Sequence, residues 1–410
     1  MTCFQAYGQA AKSPFSSFGL GEQFGYALAP QQGMGGVGLS NPQYWYINNQ
    51  NPALLVFNRF TTFQAGFVGE QRTQSTDTQS GKSGSGNLNY LALSIPVKIS
   101  KWTSSISLMP YTRLNYEYRH TEPIDGTTAN TVDVTESGTG GINQFSWSNG
   151  VAVTSSISVG LRAAYLFSSI NSEYYSKLTN TNQLSVIYPQ VVDRTFVSDF
   201  LFSPAISIHL DSLFNDNYKL NIGAVYDFKT HLSSKFNERL ERWGNTGRID
   251  SLTVINNQKG TITIPSNLSV GISFGHGYKW AVAVDGSYAN YSEYKDLGGS
   301  NPYGQNSWKI GAGFEIIPDV NSLGSYLKRT TYRTGVSLEN YPYLVNGNAV
   351  KDFGITFGFS LPVGRYSYLD FALKAGKKGD KTTNTVEENY FKIYFGMTLN
   401  DQWFIKRRFD

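Results

Sequence analysis

The sequence predicts an all-β protein, a transmembrane antiparallel β-barrel of about 14 strands whose lumen is plugged by an N-terminal hatch. Three observations support this prediction: a charged fraction of only 16% beside 15% aromatic residues, alternation of large apolar with small or polar residues, and connections that alternate in length. Typical soluble proteins are about 25% charged. The formal net charge of +4 and the lack of a basic run argue against a nucleic-acid partner.

The alternation is clearest in the stretch FGITFGFSLPV, residues 353–363. Phe353 and Ile355 fall on one face of an extended chain, while Gly354 and Thr356 fall on the other. In a soluble sandwich the second face would meet water and carry long polar side chains. Glycine at that face instead predicts that the apolar face contacts lipid and the small face lines a crowded interior.

Period-two patterning and turn residues divide the rest of the chain into similar segments. We predict strands at 61–71, 86–98, 102–119, 143–155, 158–176, 192–210, 218–232, 267–275, 278–292, 307–316, 330–339, 351–361, 366–377 and 388–398. Short connections such as 99–101 alternate with long polar ones such as 72–85, which is typical of an outer-membrane barrel with the periplasm on the short side. Lipid offers no partner to an unpaired backbone group, so the sheet must close.

The segment before the first strand is the predicted plug, because about 14 strands enclose more space than side chains of the wall can fill. Residues 11–60 do not alternate and are rich in Gly, Asn, Gln and aromatic residues, so we assign them to a hatch; the alternative is a periplasmic extension. We interpret residues 1–10 as the remnant of a signal peptide, an ordinary disordered terminus being the alternative. Residues 61–398 form the predicted barrel and residues 399–410 a periplasmic C-terminal tail.

A proline lies inside the third predicted strand. Because proline cannot donate to a β-ladder, Pro110 marks a break in the wall or a bulge near a rim. We hypothesise that it lies at a wall defect through which an apolar ligand could leave sideways.

Several ionisable side chains fall on the predicted inner face of the barrel. They are Arg113, Glu117, Arg162, Asp227, Asp285, Glu315, Asp370, Lys374 and Lys392. Two interpretations remain open: a mixed-charge ladder that holds the hatch, or the polar lining that is usual inside a barrel.

The sequence contains no arrangement that predicts catalysis. The segment GISFG, residues 271–275, matches the G-x-S-x-G motif, but that motif works only on a strand-to-helix turn, and Ser273 falls in the middle of a strand. The four histidines share no metal-ligand spacing. A lipid hydrolase would need a Ser/His pair that the sequence does not supply. We therefore predict a protein that is not an enzyme, with no catalytic residue, metal or cofactor.

Residues 261–294, TITIPSNLSVGISFGHGYKWAVAVDGSYANYSEY, resemble the signature of the FadL family of outer-membrane transporters. The matching positions are Pro265, Leu268, Gly271, Lys279 and Trp280, although NYSEY replaces the acidic-aromatic end usual in the family. The tripeptide Asn51, Pro52 and Ala53 resembles the hatch motif of the family. Residues 138–150 and the closing FGMTLNDQWFIKRRFD resemble its Bacteroidetes branch, which is also similar to PorV, a barrel subunit of type IX secretion.

The resemblance implies a hatch inside a 14-stranded barrel and an inward kink of the third strand that opens a lateral gap. The expected function is passive, hatch-gated uptake of hydrophobic small molecules such as fatty acids across the outer membrane of a Gram-negative bacterium. Both termini should lie in the periplasm. The expected partners are outer-membrane lipid and a hydrophobic ligand, with the protein a monomer. The alternative is a PorV-like subunit that docks a partner of a type IX secretion system.

Overall fold

The computed structural model describes residues 11–123, 131–178, 187–211, 217–277, 279–364 and 366–402. The strands are β1 (Glu22–Gln23), β2 (Thr61–Ser75), β3 (Ser80–Lys98), β4 (Trp102–Pro110), β5 (Thr112–Pro123), β6 (Thr131–Ala152), β7 (Ile157–Leu178), β8 (Tyr188–Asp211), β9 (Tyr218–Asp227), β10 (Thr230–Gly244), β11 (Gly247–Ile264), β12 (Asn267–His276), β13 (Trp280–Ala289), β14 (Ser307–Ile316), β15 (Thr331–Val345), β16 (Asn348–Val363), β17 (Ser367–Gly379) and β18 (Glu387–Asp401). The helices are α1 (Ala29–Gln32), α2 (Tyr326–Arg329) and α3 (Lys381–Asn384), with 3₁₀ turns at Pro14–Ser17, Pro52–Phe57 and Tyr291–Glu293. Among these residues no helix is long and apolar enough to cross a membrane.

The strands close into the predicted antiparallel barrel. β18 pairs with β2 along its whole length, from Glu387 opposite Ser75 to Asp401 opposite Thr61. Three barrel strands are each split into two segments (β4 and β5, β9 and β10, β11 and β12), and β1 lies in the hatch, so the 18 segments make 14 barrel strands. Closure joins the first and last barrel strands, because lipid could not satisfy an open sheet edge with hydrogen bonds.

The two faces of the wall follow the predicted alternation. On β16 the side chains of Phe353, Ile355 and Phe357 are exposed on the outer surface, and the residues between them are buried. Gly358 approaches Gly33 of the hatch so closely that a Cβ on either residue would collide with the other. The inner face is small because the hatch backbone lies directly against it.

The long connections are largely strand, which corrects the prediction of polar loops. Residues 72–85, predicted as a loop, form the tip of the β2–β3 hairpin, with a turn closed by the Thr76 amide donating to the Gln79 carbonyl at 2.8 Å. β10 and β11 form a similar long hairpin. Residues 72–85 carry no large apolar residue, so they lack the pattern that marks a membrane-facing strand. They extend the wall beyond the roughly ten residues that span lipid.

The hatch runs the length of the lumen. At the long-hairpin end, the Ser83 hydroxyl donates to the carbonyl of Lys12 at 3.1 Å; at the short-turn end, the Asn400 amide donates to the carbonyl of Trp45 at 3.0 Å. Thr61 and the end of β18 share the short-turn end, as an even strand count requires, but Lys12 lies at the opposite end. The predicted periplasmic position of both termini falls on residues 1–10 and 403–410, outside the described residues. Residues 399–401, predicted as tail, belong to β18.

Candidate functional site at the break in the third barrel strand

The third barrel strand breaks after Pro110. β4 pairs with β3 on one side and with β6 on the other, but its pairing with β3 ends at Leu91 opposite Leu108. β5 continues along β6 and, in the described part of the chain, does not pair with β3. The distal part of β3 therefore has a strand partner, β2, on one side only. This separation of β3 from β5 is here called the gap.

Pro110 alone does not cause the break, because Pro204 lies inside β8 and pairs with Leu161 in regular register. The second cause is on β6, where Gly140 and Gly141 have φ angles of +119° and +132°. Residues with a Cβ rarely adopt such angles. The two glycines let β6 bend, so that it can pair with β5 before the bend and with β4 after it.

Beyond the break, β5 leans into the lumen, because interior residues cover both of its faces. Leu114 packs in an apolar cluster with Ile142, whereas Arg113 lies 4.2 Å from the ring centre of Phe24 in the hatch. The Arg113 guanidinium also donates to the carbonyl of Leu88 on β3, at 3.4 Å. This is the inward kink that the resemblance implied.

The N-terminal part of the hatch, residues 11–25, fills the gap from inside and is here called the strap. Its two-residue strand β1 pairs with β5, with Glu22 opposite Arg113 and Gln23 opposite Thr112. The amide of Phe24 donates to the carbonyl of Tyr111, the first residue past Pro110, at 3.0 Å. Backbone groups exposed by the break are thus partly satisfied by the strap.

The carboxylate of Glu22 ties the strap to the wall beside the gap. It lies 3.0 Å from the guanidinium of Arg72 and 2.9 Å from the ammonium of Lys378. Burial alone would raise the pKa of the Glu22 carboxyl, but Arg72 and Lys378 hold it well below its usual range. Arg72 also contacts Glu70 at 2.5 Å and Glu388 at 3.1 Å.

This cluster is not predicted from the sequence, because the first predicted strand, 61–71, ends one residue before Arg72. The inward alternation of Gln64, Val68 and Glu70 continues to Arg72, and extending that count would have found it.

Aromatic rings also hold the strap against the wall. Phe18 stacks on Tyr343 with ring centres 4.5 Å apart. The ammonium of Lys378 lies 3.8 Å from the ring centre of Tyr341 and 5.2 Å from that of Phe15. The contacts of Phe18 and Phe15 join the strap to β15 and β17, and the contact between Lys378 and Tyr341 joins those two strands.

The predicted hatch motif lies at the start of the 3₁₀ turn Pro52–Phe57, which contacts β6 and β7. Asn51 is fully buried; its side-chain oxygen accepts from the amide of Ala53 at 3.0 Å, and its side-chain nitrogen donates to the carbonyl of Leu39 at 2.7 Å. The backbone of Pro52 and Ala53 lies where a Cβ on Gly160 of β7 would be. The motif therefore shapes the hatch and fixes it to the wall.

Four of the predicted lumen charges bind the hatch beyond the strap. The Asp285 carboxylate accepts from the amides of Gly38 and Leu39 at 2.6 and 2.9 Å, the Glu315 carboxylate from Gln43 at 2.9 Å, and the Asp370 carboxylate from the Tyr46 hydroxyl at 3.0 Å. The fourth residue, Arg162, donates to the carbonyl of Asn49 at 3.0 Å.

The other predicted charges pair with the wall or the strap. Asp227 accepts from Arg162 at 3.0 Å, and Glu117 binds Lys12 of the strap. Lys392 lies 3.3 Å from Glu70. Lys374 and Arg113 line the same small cavity as Lys392. Glu315 also pairs with Arg333 at 2.6 Å, a partner that the sequence analysis did not select.

Two cavities lie between the hatch and the wall near the gap. One, of about 180 Å³, is lined by Gln23, Tyr111, Arg162 and Asp227 among others; the second, of about 70 Å³, lies beside Glu22. The inner wall on the other side of β5 is apolar and packed. Its buried side chains include Leu114, Ile142, Leu166, Ile170, Leu201 and Leu232. Among the described residues, no three His, Cys, Asp or Glu side chains are grouped to hold a metal ion.

A 14-stranded antiparallel barrel with an N-terminal plug and a third strand that kinks inward has a FadL-like fold. The sequence matches the BamG family over residues 1–410, and the chain belongs to that family. No curated protein matches it.

Solved structures share the fold at low sequence identity. The toluene transporter TodX of Pseudomonas putida is 16% identical, with 93% of this chain and 98% of TodX covered and a TM-score of 0.58. The toluene transporter TbuX of Ralstonia pickettii is 15% identical, with 93% and 99% covered and a TM-score of 0.56. A FadL homologue of Pseudomonas aeruginosa is 10% identical, with 92% and 98% covered and a TM-score of 0.57. At such identities the likeness establishes the fold.

Proposed function

We propose that this barrel takes up hydrophobic small molecules passively across the outer membrane. In this proposal the strap is the gate, and the gap beside Pro110 is the route to lipid. The observation that carries the proposal is the apolar inner wall directly beside the gap. Barrel interiors are usually polar, yet Leu114, Ile142 and Leu166 are buried on the lumen side. The similar structures include a toluene transporter and a monoaromatic hydrocarbon channel, which supports the same class of ligand.

Gating by the strap follows from how the gap is closed. Residues of a continuous barrel wall are held by ladder hydrogen bonds on both sides, which lipid makes costly to break. The gap is instead closed by the two pairs of β1 and by the side-chain contacts of Glu22. Displacing the strap would leave the β2–β3 and β5–β6 ladders intact and would join the lumen to the lipid.

The function can be tested by uptake of radiolabelled toluene and dodecanoate into cells whose own FadL-type proteins are deleted. We expect accumulation several-fold above that of cells with an empty vector. Pro110→Val restores an N–H at the break, and we expect it to lower uptake several-fold. Pro204→Val, in the unbroken strand β8, is the matched control and should leave uptake unchanged. Uptake equal to the empty vector for a correctly folded barrel would refute the function.

A specific observation also favours a second candidate, the docking of a partner protein as in PorV. The β10–β11 hairpin carries exposed apolar side chains at Ile249, Leu252 and Val254, with Leu252 65% exposed. In the described residues, the outer edge of β11 has one backbone partner, Lys295 opposite Thr263. Exposed apolar residues on an open edge strand are typical of protein interaction sites.

Docking predicts a stable complex that depends on this hairpin. We expect Leu252→Glu to remove a partner that cross-links to the wild-type barrel in native membranes, with toluene uptake unchanged. Identical cross-linked species in the two strains would exclude docking through this surface.

A further inference from the structure

The smaller of the two cavities beside the strap has an unusual set of charges. Its volume is about 70 Å³, and it is lined by five cationic and four anionic side chains. The cations are Arg72, Arg113, Lys309, Lys374 and Lys392. The anions are Glu22, Glu70, Glu339 and Asp352. One positive charge is therefore left without a counter-charge in the lining.

The unmatched charge can be assigned to two side chains. Arg72 and Lys392 each contact Glu70, and Lys309 lies 3.7 Å from Glu339. Among the described residues, neither Lys374 nor Arg113 makes an ion pair within 4.0 Å, and Asp352, the remaining carboxylate of the lining, accepts from the Tyr390 hydroxyl at 2.6 Å. The ammonium of Lys374 lies 5.8 Å from the ring centre of Tyr390.

The position of Lys374 makes this lack of a partner costly. Lys374 of β17 pairs directly with Lys392 of β18, and both side chains face the lumen. Like charges directly opposite each other on neighbouring strands destabilise a sheet. The side chain of Lys374 packs along Gly354 of β16, where any Cβ would collide with its Cε. The wall thus makes room for a lysine that forms no ion pair within 4.0 Å in the described part of the chain, although Asp352 lines the same cavity.

We propose that this cavity is a binding site for one anionic group, held between Lys374, Lys392 and Arg113. A volume of about 70 Å³ equals roughly two water molecules of about 30 Å³ each. This suits a carboxylate or a similarly small oxyanion rather than a whole ligand. The shared chemistry is a single negative charge on oxygen, carried either by a free anion or by the head of an anionic amphiphile.

The site also adjoins the strap. Glu22, Gln23 and Phe24 line the cavity, and Gln23 and Phe24 line the larger cavity as well. A bound anion competes with Glu70 for Lys392 and lies beside the carboxylate of Glu22. The amphiphile form of the inference rests on the proposed uptake function, whereas the anion site itself does not.

Binding can be tested on the full-length barrel in non-ionic detergent with three probes: dodecanoate, dodecanol and acetate. Dodecanol has the same chain as dodecanoate without the charge, and acetate has the charge without the chain. We expect Lys374→Met to weaken dodecanoate binding about tenfold and to leave dodecanol binding unchanged. Lys377→Met, three residues along the same strand and exposed on the outer side, is the matched control and should bind as wild type does.

Thermal unfolding gives an independent readout. Acetate should raise the melting temperature of the wild-type barrel and of Lys377→Met but not that of Lys374→Met. Without added anion, Lys374→Met should melt above wild type, because the repulsion between the two lysines is removed. Equal responses of wild type and Lys374→Met to acetate and dodecanoate would overturn the site.

The probes also separate the two sources of the anion and the two proposals. Dodecanoate binding at least tenfold tighter than acetate and dodecanol assigns the site to an amphiphile head; equal binding of acetate and dodecanoate assigns it to a free anion. Toluene carries no charge, so its uptake should be the same in wild type and Lys374→Met. Absent toluene uptake with intact acetate stabilisation would refute the uptake function and leave the anion site standing.

Discussion

The two halves of the hatch are held in the lumen by different physical means. The strap, residues 11–25, is joined to the wall by ion pairs of Glu22, by ring contacts and by the short strand β1. Two cavities border it. The remainder, residues 26–60 and here called the core of the hatch, lies backbone against backbone on glycines of the wall, as Gly35 does on Gly335. Charged and aromatic side-chain contacts can break one at a time, whereas a backbone packed closely against another backbone cannot move without a collision. We therefore expect the core to be the fixed part of the hatch and the strap to be its movable part.

The largest expected effect falls on the core. Arg162 is 1% exposed and binds Asp227, Ser203 and the carbonyl of Asn49. Arg162→Met leaves the carboxylate of Asp227 buried without its cation, and we expect the free energy of unfolding to fall by about 3–5 kcal/mol. Arg242→Met removes the exposed ion pair with Asp250 and should cost less than about 1 kcal/mol. Equal losses in urea-induced unfolding of the two variants would contradict the comparison.

A smaller loss should follow from crowding the interlocked backbone. A Cβ on Gly335 would collide with the backbone of Gly35 and Met34, so we expect Gly335→Ala to destabilise the barrel by about 1–3 kcal/mol. Gly69→Ala is the matched control, because the space around Gly69 is open, and it should change stability by less than about 0.5 kcal/mol. The shift between folded and boiled forms in gel electrophoresis at increasing temperature measures both. An unaffected Gly335→Ala barrel would mean that the core is not closely seated.

Removing the charge of Glu22 should make the strap more mobile and have little effect on the barrel. Glu22→Gln removes the charge that holds Arg72 and Lys378 to the strap, while Arg72 keeps Glu70 and Glu388. A nitroxide attached at Gln23→Cys, in a background with Cys3→Ser, should become several-fold more mobile in this variant. A nitroxide at Ser40→Cys in the core should not change. Unchanged mobility at position 23 would show that the ion pairs do not hold the strap.

The smallest effect is expected from pH within the neutral range. Because the folded-state pKa of Glu22 lies below its unfolded value, its contribution to the seating of the strap is complete above the unfolded pKa. The contribution is lost only as pH falls through the depressed folded-state pKa. The spectrum of the nitroxide at position 23 should therefore be constant from pH 8 to about pH 5. A release of the strap between pH 7 and pH 5 would contradict this assignment.

The sequence predicts most of the wall and less of the site, for physical reasons. Strands that face lipid alternate large apolar with small or polar residues, so a segment such as 353–363 can be recognised from its sequence. A proline inside a predicted strand likewise indicates a break at residue 110. Gly140 and Gly141 decide where the sheet bends, but a glycine pair does not reveal its φ angles from sequence. The contacts between the strap and the wall also cannot be predicted, because Glu22 and Arg72 are 50 residues apart and neither lies in a sequence pattern that indicates its partner.

Locking the strap to β5 tests the central claim most directly. Gln23 and Thr112 are antiparallel partners, close enough for a disulfide after Gln23→Cys and Thr112→Cys in the Cys3→Ser background. Lys377→Cys with Asn389→Cys, partners on β17 and β18, is the control lock on the wall. We predict that toluene uptake through the strap lock falls to the level of the empty vector when oxidised and returns on reduction, while the control transports in both states. Undiminished uptake through the fully oxidised strap lock would contradict the account.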